Sequence, residues 1–496
     1  MTLAAVDRDM QEFDFLVIGS GSGLDVANAM AGQGNSVAVI EEGRLGGTCL
    51  NRGCIPSKRL LYHAEVLETI EAAGEFEIDA EVTGVDFAEI VRKVNDDVSG
   101  SSESIRRGLS SSNSHDLFSG TGKFVDERTV EVVDGDDEGA TLRADTVLIA
   151  TGTRPSIPPI DGIEAVEYLT STEALRLESP PDHLVIVGGG YIAAELGHFF
   201  GTFGSDVTIV GRRDHLLPEA DGEVGEAFTD RYADRFEVYT GYEAVAADEA
   251  GGEVTVEACP YPEADSVRAG GETVGAPGDA EDVTVTGDAL LVAAGRRPNT
   301  DMLNLDATGV KTDAAGFVET DEYLRTDAEG VWALGDVVGE YLLKHSANHE
   351  ARTVIRNLLG DEPEPVDYSA MPFAVFASPE VAGVGARERD LRETDVEYAT
   401  RTYPYDETAR GSAMHAEGFV KVLIDLDGTI EGCHIVGPEA SNLIEEVVVA
   451  MTAGSGTVAD IREAVHVHPA LSEVVDRAFS GQFSRGGGHD HQHHHD

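Results

Sequence analysis

The apolar run Phe13–Ile18 ends in Gly19-Ser20-Gly21-Ser22-Gly23, a helical stretch Leu24–Gln33 follows, and a second apolar run, Ser36–Ile40, closes on Glu41. Strand, glycine-rich turn, helix, strand and acid in that order constrain this segment to a dinucleotide-binding βαβ unit. The glycines allow a tight turn and a close backbone approach to a pyrophosphate, which sits on the helix N-terminus. Leu24 stands where a third glycine is usual. That glycine serves helix–strand packing rather than phosphate contact, so the departure leaves nucleotide binding intact.

The pattern recurs. Leu184–Val187 runs into Gly188-Gly189-Gly190-Tyr191-Ile192-Ala193, a helix continues through Phe200, and a strand follows at Asp206–Val210. Two such units predict two dinucleotides, one on each. Between the units lies a strand, Thr146–Gly152. Beyond the second, Ala289–Gly295 and Gly330–Asp336 read as strands ending in glycine turns. They are expected to return to the first domain, which places the second inside the first. The stretch Cys259 to Asp282, rich in Gly, Pro and acids, reads as a surface hairpin loop with no catalytic role. From Val366 short alternating strands (Ala374–Phe376, Phe419–Ile424, Ile430–Ile435) mix with helical segments at Ser441–Met451 and Val458–Ala464. The expected class is α/β, with two Rossmann-like dinucleotide-binding domains, one inserted in the other, and a C-terminal α+β domain. Expected boundaries are 1–155, 156–287, 288–365 and 366–482. Residues 483–496 form a His-rich low-complexity tail, expected to be disordered, with no metal site assigned to it.

Charge narrows the partners. The 496 residues carry 35 Lys+Arg against 92 Asp+Glu, a formal net charge of −57, and six of the cations are lysines. Such a surface repels nucleic acid and anionic membranes. Apolar periodic segments persist from end to end, which argues against disorder. The acidic surface fits a protein working in molar salt, where self-repulsion is screened. The N-terminus has neither a basic region nor an apolar core of a signal peptide, so the expected location is the cytoplasm.

Four cysteines in so long a chain do not make a structural disulfide framework. Cys259 and Cys433 stand alone. Cys49 and Cys54 lie in Gly46-Gly47-Thr48-Cys49-Leu50-Asn51-Arg52-Gly53-Cys54-Ile55-Pro56-Ser57-Lys58. Four intervening residues let the pair close a small disulfide, and the spacing is wrong for most zinc sites. This segment directly follows the first nucleotide unit. It closely resembles the redox site of the class I pyridine nucleotide–disulfide oxidoreductases, and the resemblance spans roughly residues 12–480.

The resemblance implies FAD on the first unit and a homodimer whose active sites are shared between subunits through the C-terminal domain. Cys54 resembles the thiol beside the flavin, and Cys49 the interchange thiol that attacks a substrate disulfide. Lys58 and Glu195 resemble the family's buried ion pair at the flavin, and Tyr191 the aromatic gate over the nicotinamide. His468 and Glu473, in His466-Val467-His468-Pro469-Ala470-Leu471-Ser472-Glu473, resemble its acid–base pair; Ala470 stands where the family usually has Thr. Gly19, Gly21, Ser22, Gly23, Glu41, Gly47, Thr48, Gly122, Thr151, Gly152 and Asp336 are the expected FAD contacts. Gly188, Gly190, Tyr191, Glu195 and Gly295 are expected at the nicotinamide dinucleotide. An NAD site wants an acid after its second strand. Here Val210 is followed by Gly211-Arg212-Arg213, two guanidiniums suited to a 2′-phosphate, so NADPH is expected.

Which small disulfide is reduced follows less directly. The paired arginines oppose a dihydrolipoamide dehydrogenase. The first helix lacks the arginines that glutathione reductase would show. The GSGSG turn and Leu343-Lys344-His345-Ser346-Ala347-Asn348-His349-Glu350-Ala351-Arg352 look similar to mycothione reductase. The acidic composition, however, looks haloarchaeal, and the small thiol there is γ-glutamylcysteine. The expectation is therefore an NADPH-dependent bis-γ-glutamylcystine reductase, with Arg352 pairing with a substrate carboxylate.

Overall fold

The computed structural model describes residues 10–486. The first nine residues and 487–496, which include the histidines of the C-terminal tail, lie outside the described residues.

Strands β1 (Gln11–Ile18), β2 (Val37–Glu41), β3 (His115–Ser119), β4 (Gly122–Asp126), β5 (Thr129–Val132) and β6 (Thr141–Ile149) form one sheet in the order 3-2-1-6-5-4. β1, β2, β3 and β6 run parallel, and β4–β5–β6 is an antiparallel meander. The strand Val331–Ala333 adds to β6 in parallel. Phe15, Leu16 and Val17 are all fully buried. A parallel strand covered on both faces reads as a continuous apolar run, which is what the sequence shows.

The second sheet is built around His183–Val187, flanked by Asp206–Gly211 on one side and Ala289–Val292 on the other, all parallel. The strand at 289–292 corrects the sequence reading. It belongs to this sheet, paired also with Tyr168–Leu169, rather than to the strands that return to the first domain. Its apolar Ala-Leu-Leu-Val run would suit either sheet, and only the pairing decides. The chain crosses back just beyond it, where Arg296–Pro298 pairs with Thr153–Pro155 in a two-stranded link.

The C-terminal unit is a six-stranded antiparallel sheet, Phe373–Val375, Val381–Gly385, Ile430–Val436, Phe419–Asp425, Tyr398–Pro404 and Ser484–Arg485 in spatial order. The helices Ala440–Ala453 and Glu473–Phe479 pack on it through Leu443, Ile444, Val447, Val474 and Val475. The architecture is thus two Rossmann-like domains, one interrupting the other, followed by an α+β domain. No helix among the described residues is long and apolar enough to cross a membrane.

Candidate active site

A long open cleft runs from the end of β1 past the cysteine pair to the second unit. Its floor is backbone. Gly19 has φ +102, and a Cβ there would lie 2.3 Å from the Ala150 carbonyl oxygen. Gly47 has φ +65, and its Cβ would lie 2.7 Å from the Gly21 Cα. Two chain segments cross here with no room for side chains, so the cleft floor is bare backbone. The Glu41 carboxylate stands at the end of β2. It accepts from the Ser20 N–H at 2.9 Å, the Ser20 hydroxyl at 2.6 Å and the Gly43 N–H at 3.0 Å. Gly23, expected at the nucleotide, does not line the cleft. A Cβ there would fall 2.7 Å from Val17 Cγ2 and 2.8 Å from the Ala150 Cβ, so Gly23 performs the helix–strand packing left vacant by Leu24.

Helix α2 (Gly47–Arg52) carries Cys49, and helix α3 (Cys54–Glu71) begins on Cys54. Gly53 makes the break, where a Cβ would meet the Thr48 carbonyl oxygen at 3.0 Å. The two thiols are free and hydrogen-bonded to each other. The hydrogen bond donated by Cys49, opposed by burial and helped by the Lys58 charge, lowers Cys54 to about 6. Cys49 is raised well above the ordinary thiol range, first by the same hydrogen bond and then by burial. The pair therefore holds one proton, with the thiolate on Cys54.

Lys58 lies one turn beyond Cys54 on α3, so both share a face. Its ammonium sits 2.7 and 2.6 Å from the two Glu195 oxygens. Glu195 is 3% exposed, on the helix Tyr191–Thr202 that opens the second unit. It also accepts from the Phe376 N–H at 3.1 Å, and the Lys58 ammonium lies 5.0 Å from the Phe376 ring centroid. Residues from all three domains thus meet at one cation beside the thiols. Tyr191, the first residue of that helix, also lines the cleft.

Thr48, Gly122, Thr151, Gly152 and Asp336 line the same cleft. Asp336 accepts from the Thr153 hydroxyl at 2.9 Å, and Arg296 donates to that hydroxyl at 2.8 Å. Among the described residues the buried Thr151 hydroxyl has no hydrogen-bond partner. An orphaned hydroxyl in a cleft wall is a group waiting for a ligand.

One cleft residue was not singled out from the sequence. The Lys344 ammonium donates to the Ser22 hydroxyl at 2.6 Å, and that hydroxyl donates to Asn348 Oδ1 at 3.1 Å. Ser22 is the N-cap of helix α1 (Gly23–Gly32), the end at which a pyrophosphate binds. The available signal was scarcity: one of six lysines stands in a conspicuous motif.

At the second glycine turn, Gly188 has φ +134, and its Cβ would lie 2.2 Å from the Ala293 carbonyl oxygen. Gly190 and Gly295 face open space, with nothing within 4 Å of a built Cβ. That is a cradle a side chain would fill. Arg212 and Arg213 follow the strand Asp206–Gly211. Arg212 pairs loosely with Glu243, at 3.7 Å.

His468, Glu473 and Arg352 do not line this chain's cleft. Arg352 is exposed on the helix Lys344–Leu359, so the substrate role expected of it has no support from its position. His468 Nδ1 lies 3.0 Å from Glu473 Oε1, with the imidazole 73% exposed and the carboxylate nearly covered. The imidazole holds the Glu473 carboxyl below its usual range. His466 makes a parallel pair with Glu446 at 2.9 Å. Between and before the two histidines, Val465 and Val467 are 98% and 72% exposed.

Two nucleotide units around a thiol pair, one thiol already ionised, define a dinucleotide-dependent disulfide oxidoreductase. Residues 13–351 match the pyridine nucleotide-disulphide oxidoreductase family, and 371–479 match the dimerisation domain of the same family. The chain belongs to that family. It is 36% identical over 488 residues to the mycothione reductase of Mycobacterium tuberculosis, covering 95% of this chain and 100% of that protein. It is 36% identical over 472 residues to dihydrolipoyl dehydrogenase 3 of Haloarcula marismortui, covering 94% and 95%. A similar solved structure is the Cu(II) complex of the HOCl-induced flavoprotein disulfide reductase RclA from Escherichia coli. Its TM-score is 0.81 at 26% identity, over 95% of this chain and 99% of that one. The family uses FAD and a pyridine nucleotide, and the long cleft and the open second turn fit them.

Proposed function

We propose that the protein is an NADPH-dependent reductase of a small thiol disulfide, working as a homodimer in a cytoplasm of high salt, with bis-γ-glutamylcystine as substrate. The observation that carries the reductive, NADPH-linked direction is the pair Arg212-Arg213, at the place where an NAD site presents an acid. FAD would be held by Gly19, Gly21, Ser22, Glu41, Gly47, Thr48, Gly122, Thr151, Gly152 and Asp336. When bound it would pass electron pairs from NADPH to the cysteine pair. NADPH would lie over Gly188, Gly190 and Gly295, with Tyr191 between the two cofactors.

The thiol chemistry falls to this chain's residues. Cys49 attacks one sulfur of the substrate disulfide, forming a mixed disulfide and releasing one thiolate. The Cys54 thiolate then attacks the Cys49 sulfur, which releases the second thiolate and closes Cys49–Cys54. Cys49 holds its proton tightly, so it needs a base. In this reading His468, oriented by Glu473 through Nδ1, takes that proton at Nε2 and returns it to the departing thiolate. Its imidazole is exposed and lies outside its own subunit's cleft, and Val465 and Val467 beside it are apolar and uncovered. Both features support a loop that enters the cleft of a second subunit. Lys58 stabilises the Cys54 thiolate, and Glu195 holds Lys58 in place.

The test is a kinetic panel in molar KCl, with bis-γ-glutamylcystine, glutathione disulfide, mycothione and lipoamide, each with NADPH and NADH. The highest kcat/KM is expected for bis-γ-glutamylcystine with NADPH. Turnover of dihydrolipoamide with NAD, or of lipoamide with NADH, above that of the other pairs would replace this reading by the dihydrolipoamide dehydrogenase one, which the 36% identity to the Haloarcula enzyme supports equally.

Lys344 belongs to the same cofactor site in this proposal. Charge-assisted hydrogen bonds contribute about 1.5–3 kcal/mol. Lys344→Met should therefore raise the FAD dissociation constant at least about tenfold. Fluorescence of released flavin during dialysis measures this, and FAD retention equal to wild type would remove Lys344 from the site.

A further inference from the structure

The segment between the strands Glu253–Pro260 and Val283–Gly287 forms the hairpin read from its composition, Val267–Ala269 pairing antiparallel with Glu272–Gly275, but it is tied into the domain's sheet. Its strand Val267–Ala269 pairs antiparallel with Glu237–Thr240 and so extends the sheet of the second unit. It is also fastened beside the two arginines. Asp214 Oδ1 accepts from the Asp265 and Ser266 N–H groups at 2.7 and 3.3 Å, and the Tyr261 N–H donates to the Gly241 carbonyl at 2.7 Å. Gly241 has φ +73, and a Cβ there would strike the Ser266 carbonyl oxygen at 2.4 Å. The insertion is therefore docked on the edge where the nucleotide's adenosine end would lie.

This docking sets Tyr261 under Arg212, with the guanidinium carbon 5.8 Å from the ring centroid. The Tyr261 hydroxyl donates to Glu263 at 2.8 Å, which fixes the ring from its far side. A guanidinium over an aromatic face is attracted to it while its in-plane N–H groups stay available. With that platform in place Arg212 meets Glu243 only loosely, at 3.7 Å, and without it Glu243 is free to draw the guanidinium closer. Capture by Glu243 would turn its donors away from a phosphate.

We infer that Tyr261, delivered by the insertion, is a positioning residue that holds Arg212 for the 2′-phosphate of the nicotinamide dinucleotide and so sets cofactor selectivity. This inference rests on the NADPH reading above and adds to it a residue outside the βαβ unit.

Calorimetric binding of 2′,5′-ADP and of 5′-ADP to the FAD-loaded enzyme in molar KCl tests it, alongside NADPH and NADH kinetics. Wild type should bind 2′,5′-ADP more tightly. Tyr261→Ala should weaken 2′,5′-ADP about fivefold, the size of a partly exposed cation–π contact, and leave 5′-ADP unchanged. NADPH KM should rise with kcat preserved, and Tyr261→Phe should restore both. If wild type binds the two nucleotides equally, the NADPH reading fails and takes this inference with it. If wild type prefers 2′,5′-ADP and Tyr261→Ala keeps that preference in full, or weakens both ligands equally, the inference alone is overturned.

Discussion

In a Cys49→Ala enzyme the Cys54 thiolate should titrate well above its wild-type position, and turnover should fall by at least about 10³-fold. The two effects have different causes. Turnover is lost because no sulfur remains to form the mixed disulfide with substrate. The titration moves because the hydrogen bond from Cys49 is the largest influence lowering Cys54, ahead of the opposing burial and the Lys58 charge. With Lys58 alone left against burial, Cys54 should return toward the ordinary thiol value of about 8.5. The sign is definite: the thiolate exists above the thiol's pKa, and wild-type Cys54 sits at about 6. At pH 7 the ionised fraction should then drop from roughly nine-tenths to a few per cent. Ultraviolet thiolate absorbance of the reduced protein across pH 4–10 follows it, and the rate of iodoacetamide alkylation should track the same curve. An unmoved midpoint near 6 would assign the depression to Lys58 instead. Lys58→Met would then be the variant that shifts it.

Both nucleotide units and the thiol pair were readable because each is local. A strand, a glycine turn and a helix within some 30 residues leave a pattern that no distant contact alters. The Lys58–Glu195 pair spans 137 positions and was reachable only through resemblance, since neither residue's neighbourhood announces the other. Three features were not legible. Ala289–Val292 has the composition of any doubly covered parallel strand, so its sheet could not be read from it. The insertion was legible as a hairpin, but its acids and glycines hid its attachment to the second sheet, which depends on the pairing of Arg268 with Thr240. In the segment Leu343–Arg352 the choice fell on Arg352 for its charge. Helical rotation turns Arg352 outward and sets Lys344, at the first helical position, into the cleft. A one-dimensional motif does not fix the face until the helix start is known.

Lys421 gives the second large effect, and it separates two kinds of charge in this chain. The strand Phe419–Asp425 is buried on both faces, and Lys421 is 1% exposed within it. Its ammonium lies 2.9 Å from Asp221, 2.7 Å from Glu388 and 3.2 Å from Glu223. Asp221 caps the helix Gly222–Ala233 of the second unit, so the cluster fastens that domain to the C-terminal one. Burial pulls the Lys421 ammonium down, but Asp221 and Glu388 outweigh it and leave it raised. Burial likewise works against the two carboxylates. Lys421, with His434 beside Asp221, outweighs it and holds both below their usual range. Their contribution is therefore complete above the ordinary carboxylate values near 4, and it is lost as pH falls through the lower folded ones. Removing one partner of a buried cluster costs about 3–5 kcal/mol. Lys421→Met should thus lower Tm by about 3–5 °C. Removing one carboxylate as well, in Lys421→Met with Asp221→Asn, should recover part of the loss. Salt distinguishes this cluster from the surface. At 1 M the screening length is about 3 Å, which quenches repulsion among exposed acids but does not reach a pair sealed from solvent. Lowering KCl from molar to dilute should therefore destabilise wild type and Lys421→Met by the same large amount, with the gap between their Tm values unchanged. A gap that closes as KCl rises would mean that water and ions reach Lys421, and the cluster would then be one more surface pair.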